Sequence, residues 1–376
     1  MAGCRPEKDS PLSVIGLIKK DDAPCPVREA KLYGGQAVIE GVLMKSATRA
    51  VVSVRESAPW VKNEKGKWID PHKTLAPEVR EALETQRAIV SKTLWELEGV
   101  PKKSWKQKPF ARGIFVLFES LGLGMKALEF SAEVAGQSMG ESEEQTPLQK
   151  AGSMAISIAF AVLLFIFIPT RGAEWLGNAV GLPHASEITN PWGATAFAKN
   201  ALEGGLRIAV FITYILLIRS LFKEINRVFQ YHGAEHKTVN AYEAMQPLTV
   251  ESVQRMPTYH RRCGTSFVFL VAIVHIIIAA LTGWPESVFV RLIRGIVLLA
   301  PVASVSYELL RLTAAHPTAW WSRMLSTPGI AFQKITALEP TDNMVEVAIH
   351  AFKQVVDEAD IVGVEVPRQV ALEAAE

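Results

Sequence analysis

The sequence is poor in cysteine, nearly balanced in charge, and begins without the pattern of a secretory leader. Its three cysteines, Cys4, Cys25 and Cys263, are odd in number and far apart. That excludes a disulfide framework and points to a reducing compartment. The 40 basic and 38 acidic residues leave a net charge of +2, so no field of one sign argues for nucleic acid as a partner. Near the N-terminus the only apolar run, Leu12–Ile18, is short and has acidic residues on both sides. A signal peptide needs a longer apolar run and a cleavage site. No internal repeat is visible, which argues against a transporter built from inverted halves.

Charge is present but unevenly placed. Residues 1–150 are rich in it, whereas several stretches between 151 and 306 have almost none. Ala151–Pro169 carries no charge over 19 residues, which fits a transmembrane helix. Gly205–Phe222 follows, with Arg207 and Arg219 near its ends, where long stems can snorkel. Thr265–Gly283 is the third run, interrupted only by His275. A weaker fourth begins at Ser287. Arg291 and Arg294 lie in its first turns, and Pro301 is expected to kink it or end it early. The expected fold is therefore a mainly α membrane protein with about four transmembrane helices, a small α+β N-terminal cytoplasmic region and a C-terminal amphipathic helix. Basic residues set its orientation. Lys223, Arg227, Lys237, Arg255, Arg261 and Arg262 fall between the second and third runs, and the neighbouring loops have few. By the positive-inside rule this segment and both termini are cytoplasmic.

The remaining organisation follows the same logic. Residues 1–30 read as a disordered tail and 31–110 as the α+β region. Within it Ala50–Val54 reads as a strand, Asn63–Trp68 as a hairpin turn, and Pro77–Gly99 as an amphipathic helix bounded by Pro and Gly. Residues 111–136 are apolar but carry Glu119, Lys126, Glu129 and Glu133, which suits an interfacial or re-entrant helix. The membrane domain spans 151–310, with a motif loop over 223–264. A helical cytoplasmic region occupies 311–376. In it Glu339–Asp360 forms an amphipathic helix, with Thr341 or Asp342 as the cap.

The chemistry concentrates in "YHGAEHKT", residues 231–238. On a helix, His232 and His236 are one turn apart on the same face, with Glu235 beside them. This is H-x-x-E-H, the inverse of the metalloprotease H-E-x-x-H. Two imidazoles at that spacing can reach one ion, and the carboxylate can act as base. The plainer reading is a solvated polar turn. Further ligands are offered by "TYHRRCGTSF", with His260 and Cys263, and by Glu308 in "SYELL". Glu243 shares the histidine face but lies about 10 Å further along the axis, which suits a supporting role. His275, deep in an apolar run, is a functional candidate by position.

Five blocks, "LYGGQAVIEGVLM", "YHGAEHKTVNAYE", "HRRCGTSF", "SYELLR" and "LEPTDNMVEVAI", together resemble the YqhQ-like family of bacterial membrane proteins, a domain of unknown function. The resemblance runs from about Lys31 to Ala359. It implies a membrane location and a predicted metal-dependent enzyme, and its blocks fall on His232, Glu235, His236, His260 and Cys263. The expectation is a metal-dependent, zinc-binding hydrolase at the cytoplasmic face of the bacterial plasma membrane, acting on a peptide or lipid. Glu235 would be its catalytic base, and His232, His236 and one or two of His260, Cys263 and Glu308 would be metal ligands. The alternative is a non-catalytic scaffold or assembly factor, with membrane protein partners and a structural ion or none.

Overall fold

The computed structural model describes residues 33–56, 61–62, 68–69, 87–96, 108–139, 146–183, 188, 190, 192–260, 263–285, 287–316 and 318–356. The expected tail over 1–30 lies outside them, as does the expected turn over 63–67. The strands flanking that turn, β4 (Val61–Lys62) and β5 (Trp68–Ile69), pair antiparallel.

An antiparallel sheet of order β1-β2-β3-β6 forms the N-terminal region. Its strands are β1 (Gly34–Val38), β2 (Gly41–Lys45), β3 (Arg49–Arg55) and β6 (Ile89–Glu96). The middle strands are buried on both faces, and alternation divides their side chains. Val42, Met44 and Val51 face one apolar cluster, while Leu43, Ala50, Val52 and Val54 face another. β6 corrects the helix expected over 77–99. Residues 89–96, IVSKTLWE, are rich in β-branched and aromatic side chains, which suit a pleated surface. The edge of β3 offers them an antiparallel hydrogen-bond ladder, interrupted by one register shift between Ala50 and Val51. Residues 77–86 and 97–99 of that expectation lie outside the described residues.

Ten helices follow among the described residues: α1 (Ala111–Met139), α2 (Pro147–Val162), α3 (Ile168–Ala179), α4 (Ala194–Leu221), α5 (Lys223–Glu243), α6 (Val250–Gln254), α7 (Gly264–Leu281), α8 (Val288–Ala315), α9 (Trp320–Thr336) and α10 (Asp342–Lys353). A π-helical turn, Leu163–Phe167, joins α2 to α3. Three stretches are long and apolar enough to cross a membrane: Ala151–Ala179, Ala194–Leu221 and Phe289–Ala315. Phe267–Leu281 is apolar but shorter. The chain is thus a mainly helical membrane protein with a small N-terminal sheet. Pro301 does not end α8, which runs through it to Ala315.

Two layers cover the sheet. α5 and α10 pack on one face, burying Tyr231, Ala234, Val239, Met344, Val347 and Phe352. α1 covers the other with Leu123, Ala127 and Val134. α10 occupies part of the segment expected to be helical over 339–360. Its N-cap residue Thr341 makes no side-chain capping bond. Buried Arg55 ties β3 to α10 through Glu346 at 2.6 Å and the Asn343 carbonyl at 3.3 Å. Sequence-distant segments therefore share one core, and α5, which carries the histidines, runs through it.

Candidate functional site

The motif is neither a turn nor solvated. Tyr231 and Gly233–Val239 are all buried inside α5. Gly233 makes the tight fit possible, because a Cβ there would overlap the Leu338 carbonyl oxygen. Gly35 of β1 plays the same part on the other side, where a Cβ would sit 2.9 Å from Glu235 Cγ. Lys237, counted above among basic residues of a cytoplasmic loop, is buried. It bonds Glu339 and, at 2.7 Å, the Gln254 carbonyl. Arg227 forms a two-pronged pair with Glu40, at 2.5 Å for each contact. Both cations serve the packing of α5.

The structure brings His232, His236 and Cys263 together. One ligand atom from each lies within 4.8 Å of the others. α5 supplies the two imidazoles, with ring centroids 4.3 Å apart. Cys263 comes from the residue before α7, where its Sγ lies 3.1 Å from His232 Nε2. Each imidazole is oriented through its other nitrogen. His232 Nδ1 is 2.7 Å from the Thr336 carbonyl oxygen, and His236 Nδ1 is 2.5 Å from that of Thr258. A carbonyl only accepts, so both Nδ1 atoms carry the proton and both Nε2 atoms are turned inward. His236 Nε2 is buried and has no hydrogen-bond partner among the described residues.

Electrostatics add to the picture. Burial by itself would push the Cys263 thiol up, but His236 and His232 outweigh it and hold the thiol well below its usual range. Burial likewise opposes protonation of His232, yet Cys263, Glu235 and the Thr336 carbonyl raise it to about 9. A thiolate facing an imidazolium results. Glu235 is buried, with Oε2 3.9 Å from His236 Nε2. Soft sulfur and imidazole nitrogen oriented by backbone carbonyls form a donor set that suits a borderline-soft divalent cation.

The other expected ligands sit elsewhere. His260 Nε2 faces Glu243 Oε2 at 3.3 Å. The His260 backbone is clamped by Gln333, which accepts from its N–H and donates to its carbonyl, both at 2.8 Å. The ring lies 5.9 Å from that of His236 between centroids, and burial lowers its proton affinity. Glu243 thus supports His260. Glu308 lies on α8 and is engaged by Arg112 Nε at 2.7 Å and the Phe110 N–H at 3.1 Å. It joins α1 to α8 and is not part of the His–Cys group. Sequence reasoning missed Gly35 and Gly233 as packing positions, and Thr258, Thr336 and Gln333 as supports. The paired glycines of "LYGGQ" were visible as a signal, whereas a backbone carbonyl leaves none.

Comparisons with known proteins agree on kinship. The family described as "Protein of unknown function (DUF1385)" matches residues 108–358. The chain is 32% identical over 326 residues to "Uncharacterized protein YqhQ" of Bacillus subtilis (strain 168), covering 86% of this chain and 91% of that protein. No solved structure matches. The chain therefore belongs to the DUF1385 family of proteins of unknown function.

Proposed function

We propose that this protein is a multi-pass enzyme of the bacterial plasma membrane that hydrolyses a peptide or lipid with a divalent metal, zinc by donor preference. His232, His236 and Cys263 would hold the ion. The observation that carries this reading is the inward-facing, unpartnered Nε2 of His236 beside His232 and Cys263. A buried acceptor without a donor costs free energy, and a cation would satisfy it. When bound, such an ion supplies Lewis-acid polarisation and an acidified water. Glu235 would take the proton of that water, and Gly35 leaves the space in which its side chain lies. His260, paired with Glu243, is close enough to approach a substrate.

The second reading is a scaffold with a structural ion. The burial of Glu235 and His236 favours it, because structural zinc sites are closed while catalytic ones keep an open position. Metal analysis of Glu235→Gln and His232→Ala in the full-length protein separates the roles. His232→Ala should lose metal. Glu235→Gln should keep most of it and lose turnover of a fluorogenic casein or phospholipid. Equal metal loss in both would make Glu235 a ligand, and turnover by Glu235→Gln would remove it as base.

The same core supports a four-span topology with the site and both terminal regions on one side, and the positive-inside rule makes that side the cytoplasm. β1–β3, α5 and α10 share one apolar cluster, so they lie on one side of any membrane. Crossings between β3 and α5 must then be even in number, and so must those between α6 and α10. Ala151–Ala179 and Ala194–Leu221 meet the first condition. Phe289–Ala315 needs a partner, and α7 supplies it, since its 18 residues reach about 27 Å. α1 would lie in the interface. Phe118, Leu121, Met125 and Leu128 are exposed along one of its faces. Labelling of a cysteine placed at Arg255 from outside intact cells would contradict this topology.

A further inference from the structure

A second buried polar cluster lies at the other end of the apolar helices, and the metal site makes no use of it. On α4, Glu203 accepts from Thr170 Oγ1 at 2.8 Å and from Arg207. Arg207 also meets His275 Nε2 at 2.6 Å. Asn200, about one turn before Glu203, accepts from Arg294 at 3.3 Å. The other terminal nitrogen of Arg294 bonds the Gly283 carbonyl. Gly283 has φ +80°, a left-handed conformation that glycine adopts without steric cost. Arg291 lies 3.4 Å from Glu174 and stacks 4.6 Å from the Trp284 ring centroid. Lys199 Nζ lies 5.9 Å from the same ring.

The charges do not balance. Arg207, Arg291 and Arg294 face only Glu174 and Glu203 among the described residues, and Glu174 is shared with Arg171. Lys199 and Arg291 are almost wholly buried. Buried charges in membrane helices are ordinarily paired. Among these described residues at least one positive charge is in surplus. Arg291, 2% exposed, leaves Nε and one terminal nitrogen without a partner among the described residues, and Arg207 leaves Nε so. Glu203 Oε2 is also buried and unpartnered. Unmet guanidinium donors with one unmet acceptor describe a ligand that is anionic and also offers a hydrogen-bond donor.

We propose that this cluster, between α3, α4, α7 and α8, binds a phosphate-class oxyanion, with Arg291 as its principal contact and Glu203 receiving a hydrogen bond from the ligand. Guanidinium forks match phosphate oxygens in geometry as well as charge. The negative charge of a phosphate would offset the surplus. A hydroxyl on the phosphate, or on the headgroup attached to it, would reach Glu203. The site's depth suits either of two sources. From Cys263 to Gly283 the chain runs twenty residues along α7, about 30 Å of helix, so the cluster sits near headgroup level at the opposite membrane face.

The test is thermal unfolding of the full-length protein in an uncharged detergent at constant ionic strength. Inorganic phosphate, phosphatidylglycerol and phosphatidylcholine are the probes, and chloride is the control. Phosphate or phosphatidylglycerol should raise Tm by on the order of 3 °C or more at saturation. A response to inorganic phosphate assigns a free phosphate, and a response to phosphatidylglycerol alone assigns a lipid headgroup. Arg291→Gln should abolish the response, Arg291→Lys should weaken it, and Arg255→Gln should retain it. Native mass spectrometry of the wild type should show the same ligand bound, which keeps the test decisive if Arg291→Gln does not fold. An unchanged wild-type Tm with every phosphate probe, or a full response in Arg291→Gln, would overturn the proposal.

Discussion

The two ends of the apolar helices bury polar side chains in opposite ways. At the α5 end, nitrogen and sulfur donors converge, their outer atoms are held by backbone carbonyls, and one lone pair faces inward unmatched. At the α8 end, guanidinium groups outnumber carboxylates among the described residues, and some of their N–H donors are unmatched there. The first arrangement asks for a cation and the second for an anion. Burial makes both demands costly to leave unmet, because water cannot substitute. The comparison teaches that the chemical kind of the missing partner can be read from which polarity is left over, even where no ligand is present.

The strongest way to break the comparison is to cross the two sites. His232→Ala should abolish stabilisation by zinc and leave the phosphate response intact, while Arg291→Gln should do the reverse. Loss of both responses in either variant would show a single coupled site, read by scanning fluorimetry of the two proteins side by side.

Next in size is the packing of α5. Gly233→Ala should lower Tm by on the order of 5 °C, because the methyl group meets the Leu338 carbonyl. In an open helix the same change usually stabilises by about 1 kcal/mol. Gly122→Ala on α1, where nothing lies within 4 Å, is the matched control and should be neutral or slightly stabilising. Equal effects would mean that α5 is not clamped as described.

A smaller effect sharpens the account of the cation site. Despite its burial, His232 is raised to about 9 by Cys263, Glu235 and the Thr336 carbonyl, so below that pH an incoming ion must displace its proton. Cys263 is held well below its usual range, so its proton costs less to displace than that of an ordinary thiol. Apparent metal affinity should therefore rise with pH, about tenfold per unit from this histidine, and level off near pH 9. Chelator competition at three pH values measures the slope. A flat profile would contradict the imidazolium–thiolate pair.

The least effect is expected at His260. Glu243 and Gln333 engage it, and it stands outside the three-ligand group. His260→Ala should change bound metal by less than about threefold, an outer partner's effect at most.

Much of this was legible in the sequence. Three of the four apolar runs announced helices long and apolar enough to cross a membrane, while the run at 265–283 folds as a shorter apolar helix. His232, Glu235 and His236 were set by helical spacing, and Cys263 by its place at the start of α7. What escaped reading depended on tertiary partners. Residues 89–96 became a strand because β3 offered an edge. His260 and Cys263, only three residues apart, diverged because Gln333 clamps one backbone while the other residue leads into α7. Glu308 was claimed by Arg112, nearly two hundred residues away. The second cluster was legible only in fragments: His275, Arg291 and Arg294 stood out as ionisable residues in apolar runs, and Glu203 and Arg207 are one helical turn apart, but their assembly from four helices left no signal.

The most direct measurement is the metal content of the full-length wild-type protein, purified without chelators and compared with Cys263→Ala. The account predicts about one equivalent of a divalent metal per chain in the wild type, and less than about a tenth of that in Cys263→Ala. Cobalt-loaded wild type should show a thiolate charge-transfer band that Cys263→Ala lacks. A wild-type protein that holds no metal after growth replete in zinc, manganese and iron would contradict the central claim.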